Sequence, residues 1–347
     1  MLARTYAWHL PLCEYLGCES IPSVAIQSKL SIEEIMLAEA RDEEEHVLSN
    51  EGDDTLVQAM EQENSVLREE AEEAPKDTTE VGQSDNVEKI KSLDMEKYAS
   101  FDQLLKDFYV VDKSTYIDSD ELNASQMLKQ DLRLSEVKEG KANEGPQVLI
   151  YHTHSQEGYV DSVPGEEDGT VVGAGARLAE LLEAYGIHVL HHKGQYDVEN
   201  RDYAYANAEA GLQKLLKENP SIEVIIDLHR DGVAEGTRLV TELDGKPTAQ
   251  FMFFNGLSRL KSVGEIDYLK NENRAGNLAF SFQLQVKCME YYPNLARSIY
   301  LKGYRYNMQY RAKSLLVELG AQTNTVEEVY NALPPLAHVI SMVLLGE

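Results

Sequence analysis

The sequence predicts an α/β protein with a mixed, mostly parallel β-sheet that is flanked by helices. From residue 145 onward, short apolar runs alternate with segments in which apolar residues recur at helical spacing, a pattern typical of βαβ units. The segment "IEVIIDLH" has an almost unbroken apolar run, as expected of a strand that is covered on both faces. These two observations place the chain in the α/β class.

The first elements of this region follow the order βαβαβ. The run "PQVLIYH" predicts a buried strand, and "GAGARLAELLEAYG" predicts an amphipathic helix that stops at Gly186. A second strand is predicted at "IHVLHH", a second helix at "YAYANAEAGLQKLLKENP" and a third strand at "IEVIIDLH".

The later elements complete the sheet and its helical cover. The segments "TRLVTEL" and "AQFMFFNG" predict a hairpin with "DGK" at its turn. After them, the pattern predicts a helix at "NRAGNLAFSFQLQVKCMEYY", a strand pair at "RSIYLKGY" and "SLLVELG", and a closing helix at "TVEEVYNALPPLAHVISMVL".

Composition divides the chain into three regions. Residues 1–95 form an acidic region that we expect to be largely disordered, because residues 38–95 have almost no aromatic residues and no sustained apolar periodicity. Residues 96–144 carry apolar residues at helical spacing in "FDQLLKDFYVVD" and "ELNASQMLKQDLRL", which predicts an approach segment packed on the main domain. The main domain then runs from residue 145 to residue 347.

Charge and composition exclude several classes of function. The net charge is −28, and the first hundred residues hold 24 Asp and Glu against 8 Lys and Arg, so a nucleic acid is not an expected partner. Cys13, Cys18 and Cys288 form neither a disulfide framework nor a complete zinc motif. The sequence shows no run of about 18 apolar residues and no good signal peptide, which predicts a soluble chain.

Histidines and acidic residues follow three of the predicted strands. His154 and Glu157 come directly after the first strand, His229 ends the third strand, and Glu318 ends the late strand "SLLVELG". Ligands bind beyond the carboxyl ends of strands in open α/β sheets, so we expect these four side chains to meet at one edge.

Two imidazoles and one carboxylate are a donor set that holds a catalytic zinc ion and leaves one position open. Zinc lowers the pKa of a bound water to about 7, and a separate carboxylate can then accept its proton and pass it to a leaving amine. The sequence therefore predicts metal-assisted amide hydrolysis.

Each of these residues also has a structural interpretation. Histidines at strand ends are often surface residues that only form hydrogen bonds, and "HTH" could be two exposed histidines in a turn. Histidines on the second strand are expected to be surface residues or to support the site from outside; they are His188, His191 and His192. The convergence on successive strand ends favours the metal site.

Four segments resemble the stage II sporulation protein P family. They are "FYVVDKSTYIDSDELNASQMLKQDL", "GPQVLIYHTHSQEGY", "IIDLHRDG" and "RYNMQYRAKSLLVELGAQTNTVEEV", which span about residues 100–345 in the family's order. Members of this family are cell-wall hydrolases of endospore-forming Firmicutes that act during engulfment, and they resemble zinc-dependent N-acetylmuramoyl-L-alanine amidases. The resemblance therefore implies an amidase-like fold and an amidase catalytic domain over residues 145–347.

The resemblance also implies roles for single residues. It makes His154, Glu157 and His229 the ligands of Zn²⁺ and Glu318 the catalytic glutamate. Other amidases usually supply the carboxylate ligand at the start of the first helix, where "TVVGAGARLAE" has no acid; His152 therefore remains a possible ligand or supporting group. Arg230 and Asn307 are candidate substrate contacts, with a solvated charge and a turn former as their alternative roles.

The implied substrate is peptidoglycan, cleaved between the muramic acid lactyl group and the first alanine, with possible cleavage of stem-peptide crosslinks. The implied partner is stage II sporulation protein D, a lytic transglycosylase, and the implied location is extracytoplasmic, at the sporulation septum. The family's usual N-terminal membrane anchor is not visible in the sequence. Two alternatives remain open, a zinc carboxypeptidase-like hydrolase and a non-catalytic module that binds the cell wall.

Overall fold

The structure, a computed structural model, describes residues 87–135 and 145–346. The predicted acidic region lies outside these residues up to residue 86. The helices are α1 (Phe101–Phe108), α2 (Ala124–Lys129), α3 (Val171–Ala184), α4 (Ala204–Glu218), α5 (Arg274–Tyr291) and α6 (Val326–Leu345). The strands are β1 (Tyr109–Val111), β2 (Val148–Tyr151), β3 (Val189–His191), β4 (Val224–Asp231), β5 (Val240–Leu243), β6 (Lys246–Ala249), β7 (Phe251–Gly256), β8 (Arg259–Leu260), β9 (Gly264–Glu265), β10 (Ala296–Lys302) and β11 (Lys313–Ala321).

One sheet organises the described part of the chain, with the strand order β1-β10-β7-β11-β4-β2-β3. Neighbouring strands in it are parallel except for β7 and β11, which are antiparallel. The predicted class, a mixed and mostly parallel sheet flanked by helices, is confirmed. Because the direction reverses between β7 and β11, strands β2, β3, β4 and β11 end at one edge of the sheet, which we call the histidine edge. Strands β1, β7 and β10 end at the opposite edge.

Side chains of β2 alternate between two apolar clusters on opposite faces of the sheet. Val148 and Ile150 belong to the larger cluster, which includes buried residues of α3, α5 and α6. Leu149 and Tyr151 instead contact α4 through Leu212. Both faces of β2 are therefore buried, which explains its continuous apolar sequence.

Local sequence signals define both ends of α3 and the start of α6. The Thr170 side chain accepts hydrogen bonds from Val172 N and Gly173 N at the start of α3. Gly186 follows the end of that helix with φ +80°, a left-handed conformation that glycine adopts without strain. At the start of α6, Thr325 and Glu328 form a capping box.

The structure corrects three details of the predicted elements. In the segment "FYVV", helix α1 ends at the phenylalanine and the last three residues form β1. The approach segment therefore supplies an edge strand of the main sheet. The hairpin that begins in "TRLVTEL" pairs β5 with β6 and not with the segment "AQFMFFNG". Its turn lies at Asp244 and Gly245, with φ of 52° and 75°. Strands β10 and β11 form but do not pair with each other, because β7 lies between them.

Helix α6 is long and apolar enough to cross a membrane by length and composition, and no other helix in residues 87–135 and 145–346 meets that test. However, 72% of its most apolar window is buried inside the protein. Val329, Leu336 and Ile340 are fully buried in the larger cluster with α3 and α5. These contacts are those of a core helix.

Residues 87–94, which the sequence assigned to the acidic region, lie against the end of α5. The amides of Ile90 and Lys91 donate to the carbonyl oxygen of Glu290 at 3.0 and 3.1 Å. The amide of Leu93 donates to Glu290 Oε1 at 3.2 Å, and Lys89 Nζ lies 2.6 Å from the same carboxylate. The predicted boundary at residue 95 thus falls beside a segment that contacts the domain.

These contacts give a prediction for two truncations. A chain that begins at residue 87 should unfold with the free energy of the full chain, because it retains every contact with Glu290. A chain that begins at residue 95 loses three hydrogen bonds and should be less stable by about 1.5–4.5 kcal/mol, since each contributes about 0.5–1.5 kcal/mol. Denaturant unfolding of the three chains measures the difference. Loss of cooperative unfolding in the chain from residue 87 would show that residues 1–86 are needed for folding.

Candidate active site

The turn after β2 carries the first two predicted site residues. His154 and Glu157 lie in this turn and are 1% and 6% exposed. Two buried carboxylates from other segments fix it. Asp227 accepts hydrogen bonds from Thr153 N at 2.9 Å and Thr153 Oγ1 at 2.6 Å. Asp197 accepts one from Ser155 Oγ at 2.8 Å and one from the next backbone amide at 3.1 Å.

Strands β4 and β11 carry the other two predicted residues. His229 and Glu318 are direct neighbours in the parallel register of these strands. His229 is 1% exposed and Glu318 is 6% exposed. The predicted meeting of strand ends therefore brings both residues to the histidine edge, beside the turn after β2.

Several distances define how close three of the four side chains, His154, Glu157 and His229, lie to one another. The rings of His154 and His229 have centroids 5.4 Å apart at an interplanar angle of 80°. Nδ1 of His229 lies 3.7 Å from Oε2 of Glu157. The ring of Tyr205, from α4, is 5.7 Å from His154 and stacks over His229 at 6.4 Å. The imidazoles and Glu157 thus share one buried region with an aromatic wall.

Asp227 holds the other nitrogen of His229. Nε2 of His229 lies 2.8 Å from Oδ1 of Asp227, an ion-pair distance. At this distance the Asp227 carboxylate attracts a positive charge on the His229 ring. Since Asp227 also binds Thr153, one carboxylate links the His229 ring to the turn that carries His154.

The electrostatics of this region favour a cation. Burial alone would lower the pKa of His229, but Asp227, Glu157 and Glu318 outweigh burial and raise it to about 10. Burial likewise opposes ionisation of Asp197, but the nearby His154 ring, 3.8 Å away, and hydrogen bonds from Ser155 and Gln156 lower its pKa to about 2. Carboxylates from the turn after β2, from β4 and from β11 therefore favour a positive charge at this position.

The donor types fit a zinc ion, which the sequence predicted. Two buried imidazoles and a buried carboxylate match the ligands that zinc takes in hydrolases. The negative surroundings that raise the His229 pKa would equally stabilise a divalent cation in place of the proton. Within residues 87–135 and 145–346, no three His, Cys, Asp or Glu side chains already converge into a metal-binding group. Zinc binding would therefore require side-chain adjustment at His154, Glu157 and His229.

The remaining predicted residues make contacts within the protein. His152 is fully buried; its Nδ1 lies 2.8 Å from the Leu228 carbonyl oxygen and its Nε2 lies 2.9 Å from His191 Nε2. Arg230 donates from Nε to the Gly158 carbonyl at 2.7 Å, and its amide donates to Glu157 at 3.1 Å. These contacts give His152 and Arg230 supporting positions around the turn.

Asn307 has a left-handed backbone with φ 54° at the start of a short 3₁₀ turn. Its side chain donates to the carbonyl oxygen of Tyr205 at 2.9 Å and is 5% exposed. This position corresponds to the turn-forming role that the sequence left open.

Four residues that contact the predicted site residues or their turn were not predicted from the sequence: Asp197, Arg201, Tyr205 and Asp227. Asp227 has a visible signal, because a carboxylate inside the apolar strand "VIIDLH" must find a buried partner. The other three come from residues 197–205, where nothing in the local sequence indicates contact with the turn after β2. Their role depends on how the chain folds back after β3.

The double contact of Asp227 gives a second prediction. Asp227→Asn keeps the shape and an acceptor for Thr153 but removes the charge that holds His229, so zinc affinity should fall about 10–100-fold. Competition with a chromophoric chelator measures the affinity. Asp112→Asn is the matched control, since Asp112 is also buried and accepts from Tyr300 at 2.8 Å, but at the opposite edge of the sheet. Equal zinc affinities in the two variants would contradict the role of Asp227.

Comparison with known protein families decides the family of the chain. The model of the family described as stage II sporulation protein P matches residues 26–341. The chain belongs to the stage II sporulation protein P family. The stage II sporulation protein P of Bacillus subtilis (strain 168) is 27% identical over 213 residues, which cover 56% of this chain and 50% of that protein. The chain thus spans about half the length of this relative.

The solved structures that are similar to this chain include several N-acetylmuramoyl-L-alanine amidases. AmiC2 of Nostoc punctiforme is 14% identical with a TM-score of 0.35, covering 58% of this chain and 97% of its own. The amidase of Clostridium difficile 630 is 16% identical with a TM-score of 0.37, covering 58% and 96%. Ami1 of Mycobacterium smegmatis is 14% identical with a TM-score of 0.35, covering 59% and 100%.

Proposed function

We propose that this chain is a zinc-dependent peptidoglycan hydrolase of sporulation that cleaves the N-acetylmuramoyl-L-alanine amide bond. The observation that carries the proposal is the meeting of His154, Glu157, His229 and Glu318 at the histidine edge of the sheet. Membership of the stage II sporulation protein P family supports the sporulation role and the cell-wall substrate.

In this proposal, His154, Glu157 and His229 hold the zinc ion. When bound, zinc supplies a Lewis acid that polarises the scissile carbonyl and activates water. Asp227 orients the His229 ring, and the Arg230 amide holds one oxygen of Glu157. Both contacts come from β4. This one strand therefore carries the ligand His229 and also a group that holds the ligand Glu157 in place.

Glu318 acts as the general base and then as the general acid. It accepts a proton from the attacking water and delivers it to the nitrogen of the leaving alanine. Its place on β11, next to His229 in register, holds it beside the ligand set without using it as a ligand. The C–N bond breaks, and the products are a lactyl carboxylate and a stem peptide with a free amino terminus.

The proposal extends to location and partner through the family. A peptidoglycan substrate requires an extracytoplasmic site of action, which for this family is the sporulation septum. The proposed partner is the lytic transglycosylase stage II sporulation protein D, which would act on glycan that has lost its stem peptides. Cleavage of stem-peptide crosslinks is a possible additional activity of the same site.

Product analysis tests the proposal against its alternatives. Purified sacculi are incubated with the protein, with and without a chelator, and the soluble products are identified by mass spectrometry. Free stem peptides that begin with alanine, released only without chelator, are expected. Release of single amino acids would instead indicate a zinc carboxypeptidase-like hydrolase. Binding to sacculi without any cleavage would indicate a non-catalytic wall-binding module.

A further inference from the structure

Arg201 is a partly exposed cationic side chain that contacts Glu157, one of the proposed ligands. Nη2 of Arg201 lies 3.2 Å from Oε1 of Glu157, and the Arg201 side chain is 43% exposed. It belongs to a 3₁₀ turn, Arg201–Tyr203, which leads directly into α4 and Tyr205. The Asn200 side chain caps this turn by accepting from the amide of Asp202 at 2.9 Å. Arg201 is therefore presented at the rim by a fixed piece of backbone.

The guanidinium of Arg230, the other arginine beside Glu157, is directed toward the protein backbone. Its Nε donates to the Gly158 carbonyl at 2.7 Å and its Nη1 to the Asp231 carbonyl at 3.1 Å. Arg230 thus holds the turn after β2 and the end of β4. Arg201 contributes a partly exposed positive charge beside Glu157.

An anionic substrate needs such a charge here. The chain has a net charge of −28, and Glu157, Asp197, Asp227 and Glu318 surround the site. A substrate carboxylate that approached the histidine edge without a local cation would be repelled. A planar guanidinium recognises carboxylates through paired N–H donors, which a single ammonium group cannot reproduce.

We infer that Arg201 binds the α-carboxylate of the second residue of the stem peptide and so determines substrate specificity; this rests on the proposed function. That residue is a glutamate linked through its γ-carboxyl group, so its α-carboxylate is either free or amidated. Two residues of extended chain span at most about 7 Å, which places this carboxylate near the scissile amide. A cation in contact with Glu157 lies at this short range.

The test compares two soluble substrates that differ in one group. One is an N-acetylmuramoyl tripeptide with a free α-carboxylate on its second residue, and the other carries a carboxamide there. Hydrolysis by the full chain should favour the free acid, and Arg201→Gln should lower kcat/KM for the free acid by roughly 10–100-fold, the range for one lost charge-assisted contact. For the carboxamide, Arg201→Gln should change kcat/KM by less than about threefold, within the range of a single uncharged contact.

A matched control variant and the zinc content separate this role from a structural one. Arg305→Gln, which removes an arginine paired with Glu209 at 2.7 Å, should leave the ratio between the two substrates unchanged. Zinc content of Arg201→Gln should remain that of the wild type. Equal losses on both substrates, or loss of zinc, would mean that Arg201 only holds Glu157 and would overturn the proposal.

Binding to the Glu318→Gln chain keeps the inference independent of turnover. Calorimetry should show tighter binding of the free acid than of the carboxamide, and this preference should disappear when Arg201→Gln is added. If the wild type cleaves neither substrate but the binding preference is present and depends on Arg201, the carboxylate site stands and the proposed hydrolysis fails. If binding shows no preference, the carboxylate site is overturned whatever the hydrolysis result.

Discussion

Glu318→Gln should bind zinc and sacculi like the wild type while its turnover falls by roughly 10²–10⁴, the contribution typical of a general acid–base. The substitution keeps the size and shape of a side chain that is 6% exposed, so the packing between β4 and β11 should persist. It removes the proton acceptor next to His229 in the sheet register. Rates of release of stem peptides, together with zinc content, measure the effect.

A carboxylate from the other end of the same strands provides the control. Glu223 precedes β4 and pairs with Lys313 at 2.9 Å, and the six residue steps from it to His229 span about 20 Å of extended strand. Glu223→Gln should therefore keep full turnover. Normal turnover in Glu318→Gln would exclude Glu318 as the base. Loss of zinc in that variant would make it a ligand and leave Glu157 as the candidate base.

Replacement of His154, Glu157 or His229 by Ala should reduce bound zinc well below one ion per chain. Each substitution leaves two protein ligands, which is fewer than the three that hold catalytic zinc. Turnover should be lost in parallel, because the ion supplies both the activated water and the polarised carbonyl. Metal analysis of the purified variants, alongside circular dichroism to verify folding, gives the measurement.

Two other histidines test the assignment within "HTH" and control for surface metal binding. His188→Ala removes an exposed histidine just before β3 and should leave zinc at one ion per chain. His152→Ala should retain zinc, because both ring nitrogens of His152 lie at hydrogen-bond distance from Leu228 and His191. If His152→Ala loses zinc while His154→Ala retains it, the two histidines exchange roles.

The meeting of these strand ends could be predicted from the sequence because of a geometric rule. The carboxyl ends of parallel strands meet at one edge, so residues that directly follow or end such strands lie together whatever their neighbours. His154, His229 and Glu318 all occupy such positions, and the structure brings them to the histidine edge. The rule applies to these residues because β2, β4 and β11 are parallel to one another.

The strand order and the contacts that support the site could not be predicted from this rule. Apolar periodicity marks β7, β10 and β11 as strands but carries no information on which of them pair, and β7 separates the other two. Asp197 and Arg201 reach the turn after β2 only because the segment after β3 folds back over it. Such contacts depend on loop conformation over long sequence separation, which local patterns do not encode.

The dependence of hydrolysis on zinc occupancy tests the central claim most directly. The full chain is stripped of metal with a chelator, titrated with Zn²⁺, and assayed at each step for stem peptides released from sacculi. Turnover should rise in proportion to bound zinc and saturate at one ion per chain, with no rise in the His229→Ala variant. Full turnover by the metal-free chain, or a zinc-dependent rise that persists in His229→Ala, would contradict a zinc hydrolase built on His154, Glu157 and His229.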